Sequence, residues 1–180
     1  MVRETPAAYA AVVEPYISSF PADRTAWVHA ILDGVKEAER VIYRSDEAEE
    51  AAGLGFVLIP DLKWDGTTLA SLYLSAIVRD ASIRSLRDLR PRHVPLLKRI
   101  REQAYASTKE KYGVEAGQLR TFIHYQPSYC EYTSRNILTA DHFHVHVVHV
   151  RHEVMAGMAA GQAHLLEDVI DWVSSKEEVC

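Results

Sequence analysis

The sequence predicts an α+β fold, with helices packed on a mostly antiparallel sheet. Three observations lead there. Residues 55–60 (GFVLIP) and 142–150 (HFHVHVVHV) have the length and patterning of strands. Residues 119–126 (LRTFIHYQ) read as a further strand, followed by a Pro127-Ser128 turn, and pair with 142–150 as a hairpin. Residues 93–113 and 158–175 instead repeat their apolar positions at helical spacing. The order is helices, strand, strand, helix, helix, hairpin, helix, which is the α+β arrangement.

Residues 4–20 read as a short helix cut by Pro15. A better helix follows at 23–34, where Trp27, Ile31 and Ala30 share a face and Gly34 suits the stop. KEAERVIYRS reads as a strand with Val41 and Tyr43 on one side, and SDEAEEAAG as a solvated acidic loop. The continuous apolar run 55–60 suits a strand buried on both faces, ended by Pro60. Residues 67–80 carry Leu69, Leu72, Tyr73, Ala76 and Ile77 at i, i+3, i+4, i+7 and i+8, which predicts an amphipathic helix capped by Asp65 or Thr67. SIRSLRDLRP is an irregular connector, and Gly113 closes the helix over 93–113. The last helix turns Leu166, Val169, Ile170 and Val173 to the core.

A chain of 180 residues is expected to form one domain, 1–180, burying about two-thirds of its unfolded surface. Residues 1–22 form its N-terminal linker and helix. The composition, 48% apolar and 25% charged, is that of an ordinary globular protein. A net charge of −5 argues against binding duplex nucleic acid through a basic face, but leaves room for a pocket that takes one small anion. Two cysteines, Cys130 and Cys180, make neither a disulfide framework nor a CxxC zinc pattern, so a reducing compartment is expected. No apolar run approaches ~18 residues, and the first residues lack the form of a signal peptide. The expected location is the cytosol, or cytosol and nucleus, with no membrane contact.

Seven of the nine histidines lie between His124 and His164. In a strand, His142, His144 and His146 share one face, about 7 Å apart between neighbours, with Phe143, Val145 and Val147 opposite. His149 falls on the core side. A metal site is one reading, but the outer two histidines are about 13 Å apart, so at most two could hold one ion. A purely structural role is another. The third is nucleophilic catalysis: imidazole is largely neutral at pH 7, one nitrogen can attack phosphorus, and the other can be oriented by a hydrogen bond. That chemistry needs no metal or cofactor.

The pattern His-φ-His-φ-His-φ-φ, with φ apolar, resembles the signature of the histidine triad (HIT) superfamily of nucleotide hydrolases and transferases, and HFHVHVV fits it at every position. GFVLIPDLKW, LYLSAIVRDASIRSLRDL, IHYQPSY and HLLEDVI together resemble the catalytic C-terminal domain of the scavenger mRNA decapping (DcpS) family, as do RETPAAY and AWVHAIL…EAERVIY. The resemblance implies a HIT-like fold, a homodimer, and hydrolysis of the residual cap m7GpppN to m7GMP and a nucleoside diphosphate. It implies that His144 is the nucleophile and forms a nucleotidyl-histidine. Lys63, His124, Ser128, Tyr129, His142 and His146 would surround the phosphates, and Tyr73 matches a position near the substrate. Trp27 would stack on the cationic methylated base, with Leu62 opposite. Glu37 would accept from the guanine N1 and N2 edge, and Asp61 would meet a ribose hydroxyl. Without the resemblance, Trp27 reads as core and Lys63 and Glu37 as surface charges.

Three departures stand out. The family has an N-terminal domain that closes over the substrate, and this sequence begins near the linker that follows it; a missing lid is expected to lower activity. Cys130 takes the place of a second family tyrosine, and Glu131–Asp141 form an insertion in the catalytic hairpin. Gln162 stands where the family usually carries a basic residue, so one phosphate clamp loses its charge. Two rivals remain: a less selective HIT hydrolase of dinucleoside polyphosphates or nucleotidyl conjugates, and a cap-nucleotide-binding module with little turnover.

Overall fold

In a computed structural model, the structure describes residues 5–19, 26–125, 142–153, 158–159 and 161–175. Its centre is a six-stranded antiparallel sheet. The strands are β1 (Tyr43–Arg44), β2 (Phe56–Pro60), β3 (Tyr73–Val78), β4 (Leu119–His124), β5 (His144–His149) and β6 (Ala163–Leu165), in the order β1-β2-β3-β5-β4-β6. The helices are α1 (Pro6–Ala8), α2 (Glu14–Ser18), α3 (Ala26–Leu32), α4 (Glu47–Ala51), α5 (Val94–Tyr112) and α6 (Leu166–Ser174). This is the α+β, HIT-like architecture expected from the sequence.

The sheet is covered differently on its two faces. Phe56, Leu58, Leu74, Ala76, Val78, Val145 and Val147 join α5 and α6 in the main core. On the other face, Val57, Ile59 and Ile77 pack against Val28, Ile31 and Leu32 of α3. Alternation along a strand separates these two sets. The α3 helix is only seven residues long, and its C-terminal carbonyls are held from the sheet. Arg44 donates to Ile31 O at 2.9 Å and to Leu32 O, and Arg79 also donates to Leu32 O. Two guanidinium groups thus serve the last carbonyls of the helix, of which Ile31 O also accepts from Gly34 N at 3.0 Å.

Several elements differ from expectation. Residues 67–80 form no amphipathic helix: a 3-10 turn at Leu69–Ser71 leads into β3, which is buried along its whole length. The run LYLSAIV has apolar residues at helical spacing because it is apolar on both faces, as a central strand must be. Asp65 caps the turn that precedes it, accepting from Thr67 N at 2.9 Å and Thr68 N at 2.8 Å. The acidic stretch is helical at α4, because Asp46 and Glu49 form a reciprocal capping box. Pro15 does not cut the N-terminal helix: a π-helical turn at Tyr9–Val13 precedes it, and α2 continues through it. The strand over 119–126 and the helix over 93–113 stand at β4 and α5. The helix expected over 158–175 is shorter: α6 begins at Leu166, and Ala163–Leu165 before it form β6, which pairs with β4. Gly113, in the left-handed region at φ 68°, terminates α5.

Candidate active site

The registers of β3, β4 and β5 bring the histidines together. His144 lies opposite Ile77, and His146 lies opposite Ser75 on one side and Phe122 on the other. A cavity of about 100 Å³ opens on this face. It is lined by Trp27, Glu37, Ile59, Pro60, Asp61, Leu62, Lys63, Ser75, Ile77, His124, His144 and His146. Eight residues singled out from the sequence therefore meet at one pocket, although they come from α3, the loop after it, the end of β2, β4 and β5.

At its floor, three imidazoles crowd together. The His144 and His146 rings are 4.5 Å apart and nearly perpendicular, and His124 is 4.5 Å from His146. His146 also stacks on Phe122 at 5.0 Å and meets the edge of Tyr73 at 5.4 Å. The Nδ1–H of His144 donates to the backbone carbonyl of His142 at 2.9 Å. With that proton on Nδ1, the neutral ring carries its lone pair on Nε2. Burial, opposed by the His142 carbonyl and by Asp61 and reinforced by the neighbouring His124, lowers the His144 pKa to about 4. Burial, His144, His124 and Lys63 hold His146 well below the usual histidine range. Both rings are neutral at pH 7.

The rim carries charge and apolar surface. Asp61 Oδ1 accepts from the Lys63 amide at 3.0 Å, and Asp61 Oδ2 accepts from Ser75 Oγ at 3.0 Å. Lys63 Nζ lies 5.7 Å from the Tyr73 ring centroid. Leu62 is 57% exposed, a large apolar side chain standing at the mouth of the pocket. Glu37 is the one non-glycine residue with positive φ among the described residues, at 54°. That conformation costs about 1–2 kcal/mol for a residue with a Cβ. Its carboxylate pairs with Arg40 at 2.6 Å.

Other sequence-derived candidates stand elsewhere. His142 and Tyr73 are buried just outside the lining. The ring of His142 donates from Nε2 to the Val78 carbonyl, while its main chain orients His144. Gln162 is exposed and not among the lining residues, with its carbonyl accepting from the Tyr125 amide at 3.0 Å. Ser128, Tyr129 and the insertion 131–141 lie outside the described residues. Among the described residues, no three His, Cys, Asp or Glu side chains are placed to hold a metal ion. Sequence reading missed Ile59, Pro60, Ser75 and Ile77. Ser75 and Ile77 alternate with Tyr73 on one face of β3, a signal hidden by the helical reading of that segment.

An antiparallel sheet that presents neighbouring imidazoles to a pocket with a lysine on its rim is the arrangement of a HIT-like fold. The family model for the scavenger mRNA decapping enzyme C-terminal binding domain matches residues 26–161, and the chain belongs to that family. It is similar to m7GpppX diphosphatases: 41% identical to that of Schizosaccharomyces pombe, 40% to that of Ascaris suum and 37% to that of Homo sapiens. Each match covers 95% of this chain and 51%, 51% and 46% of the respective relative. The chain spans about half the length of the curated relatives it matches.

Proposed function

We propose that this chain hydrolyses the residual mRNA cap m7GpppN to m7GMP and a nucleoside diphosphate through a covalent intermediate on His144. The observation that carries this is the state of His144: neutral, with Nδ1 occupied by a peptide carbonyl, in a pocket that also holds Lys63, Trp27 and Glu37. Nε2 attacks the phosphorus nearest 7-methylguanosine, a P–N bond forms, and the P–O bond to the nucleoside diphosphate breaks. Water then attacks the same phosphorus, the P–N bond breaks, and m7GMP leaves with the hydroxyl.

Negative charge spread over the phosphoryl oxygens needs cations and donors, which Lys63, His124 and His146 supply. Ser128 and Tyr129 join them in the resemblance. A bound triphosphate opposes the burial effect on His144 and raises its basicity during the reaction. Trp27 and Leu62 hold the cationic base, Glu37 accepts from its N1 and N2 edge, and Asp61 faces the ribose. A homodimer and a location in the cytosol, or cytosol and nucleus, belong to the same proposal and rest on the family resemblance.

The test is turnover of m7GpppG and unmethylated GpppG by this chain, with products resolved by chromatography and the protein assayed for a phosphoramidate adduct. Rapid release of m7GMP, slower cleavage of GpppG and an adduct on residue 144 are expected. Equal rates on both substrates would favour the less selective hydrolase. Tight m7GMP binding without product would favour the binding module.

A further inference from the structure

Glu37 holds its carboxylate at the pocket from a position with little support of its own. It lies in a loop, outside regular secondary structure, and its backbone sits in the left-handed region. Immediately after it comes a 3-10 turn, Ala38–Arg40, in which residues three apart eclipse each other. That geometry brings Arg40 over Glu37: Arg40 N donates to Glu37 O at 2.9 Å, and its guanidinium NH1 pairs with Glu37 Oε2 at 2.6 Å. The other arm, NH2, donates to the carbonyl of Pro60 at 3.1 Å, twenty residues further along the chain. Pro60 is the last residue of β2 and directly precedes Asp61, Leu62 and Lys63.

We propose that Arg40 is the positioning residue for base recognition, and that its guanidinium fixes the Glu37 carboxylate to the end of β2. One planar fork ties the loop carboxylate to the end of β2, beside the main-chain bond from Ile42 N to Leu58 O at 2.8 Å that begins the β1–β2 pairing. It sets the distance between the base-facing carboxylate and the Asp61–Lys63 segment that meets ribose and phosphate. It occupies Oε2 and leaves Oε1 to accept from the base. A lysine, with one point charge, can reach one acceptor or the other but does not match both as a fork. Arg40 itself does not line the pocket, so it acts through Glu37. The inference rests on the assignment of Glu37 to the base edge in the proposed function.

The test is a double-mutant cycle read by calorimetric binding of m7GMP and GMP, with steady-state kinetics on m7GpppG. Arg40→Ala should weaken m7GMP by about tenfold, and raise KM while kcat stays within a few-fold. In a Glu37→Gln background the same change should cost less than about twofold, because the group it positions has lost its charge. Arg40→Lys should recover part of the affinity. An unchanged m7GMP affinity in Arg40→Ala, or an equal loss in the Glu37→Gln background, would overturn the proposal. The ligand-free crystal structure of Arg40→Ala supplies an arm independent of ligand: a displaced Glu37 carboxylate supports the clamp, and an unmoved one overturns it. Should the unaltered protein bind GMP as well as m7GMP, the cap reading falls, and that crystal structure alone then decides the clamp.

Discussion

The two ends of the pocket are built by different means. His144 and His146 project from β5, between β3 and β4, and their rings are fixed by burial, by stacking on Phe122 and by a main-chain carbonyl. Trp27 and Glu37 project from a short helix and a loop, which arginines tie to the sheet at their carbonyls and carboxylate. In the proposed function, the reacting end is therefore part of the sheet, and the recognition end is attached to it. A group that must aim at phosphorus gains from the stiffest element available, since small misplacement is costly there. A group that grips a flat base can tolerate the lower local stability of an edge held by a few polar ties.

The contrast breaks first at His144. Replacing it with Ala should abolish turnover, by about 10⁴-fold or more, while calorimetry finds m7GMP affinity within several-fold of the original. Persistent cleavage would remove the reactive role from the sheet. The next effect is one of pH. Between pH about 6.5 and about 4 the unfolded His144 binds a proton that the folded one does not, so stability falls as the medium is acidified. The loss from this group is on the order of 3 kcal/mol across that window, readable by urea titration at stepped pH. The same depression predicts that kcat/KM, which reports the free protein, loses activity with an acid limb near pH 4 rather than 6.5.

At the recognition end the effects are smaller. Trp27→Ala should weaken m7GMP by about 1–3 kcal/mol, as expected for loss of one stacking partner, with kcat largely kept. Glu37→Lys should erase the preference for m7GpppG over GpppG, measured as a ratio of kcat/KM values; a surviving preference would reassign base recognition. The smallest effect is at the junction of the two ends. Ser75→Ala frees one oxygen of Asp61 and should lower kcat/KM by about 1 kcal/mol, with little change in melting temperature.

Much of this was readable from the chain. The alternation of HFHVHVV gives β5 and its histidine face directly, because period two is a local property. The apolar run before Pro60 gives β2, and Gly113 gives the end of α5. Residues 69–78 were not readable, since a strand buried on both faces carries no alternation and its apolar residues fall at helical spacings by chance. That one misreading concealed Ser75 and Ile77. The Arg40 tie to Pro60, the Arg44 and Arg79 ties to α3, and the ring clustering of His124 with His146 depend on which strands become neighbours. Such contacts are tertiary and leave no periodic trace. Gln162 was singled out from the family pattern; it is exposed and is not among the lining residues.

The partner that decides which nitrogen of His144 carries its proton is a peptide oxygen, that of residue 142. Every amino acid supplies that atom, so no codon change at 142 deletes it, and a substitution there can disturb it only by bending the chain. Semisynthesis gives the direct route: an ester in place of the 142–143 amide would weaken the acceptor while leaving every side chain in place. The tautomer of the His144 ring is in this sense inherited from the backbone, beyond the reach of ordinary side-chain mutation.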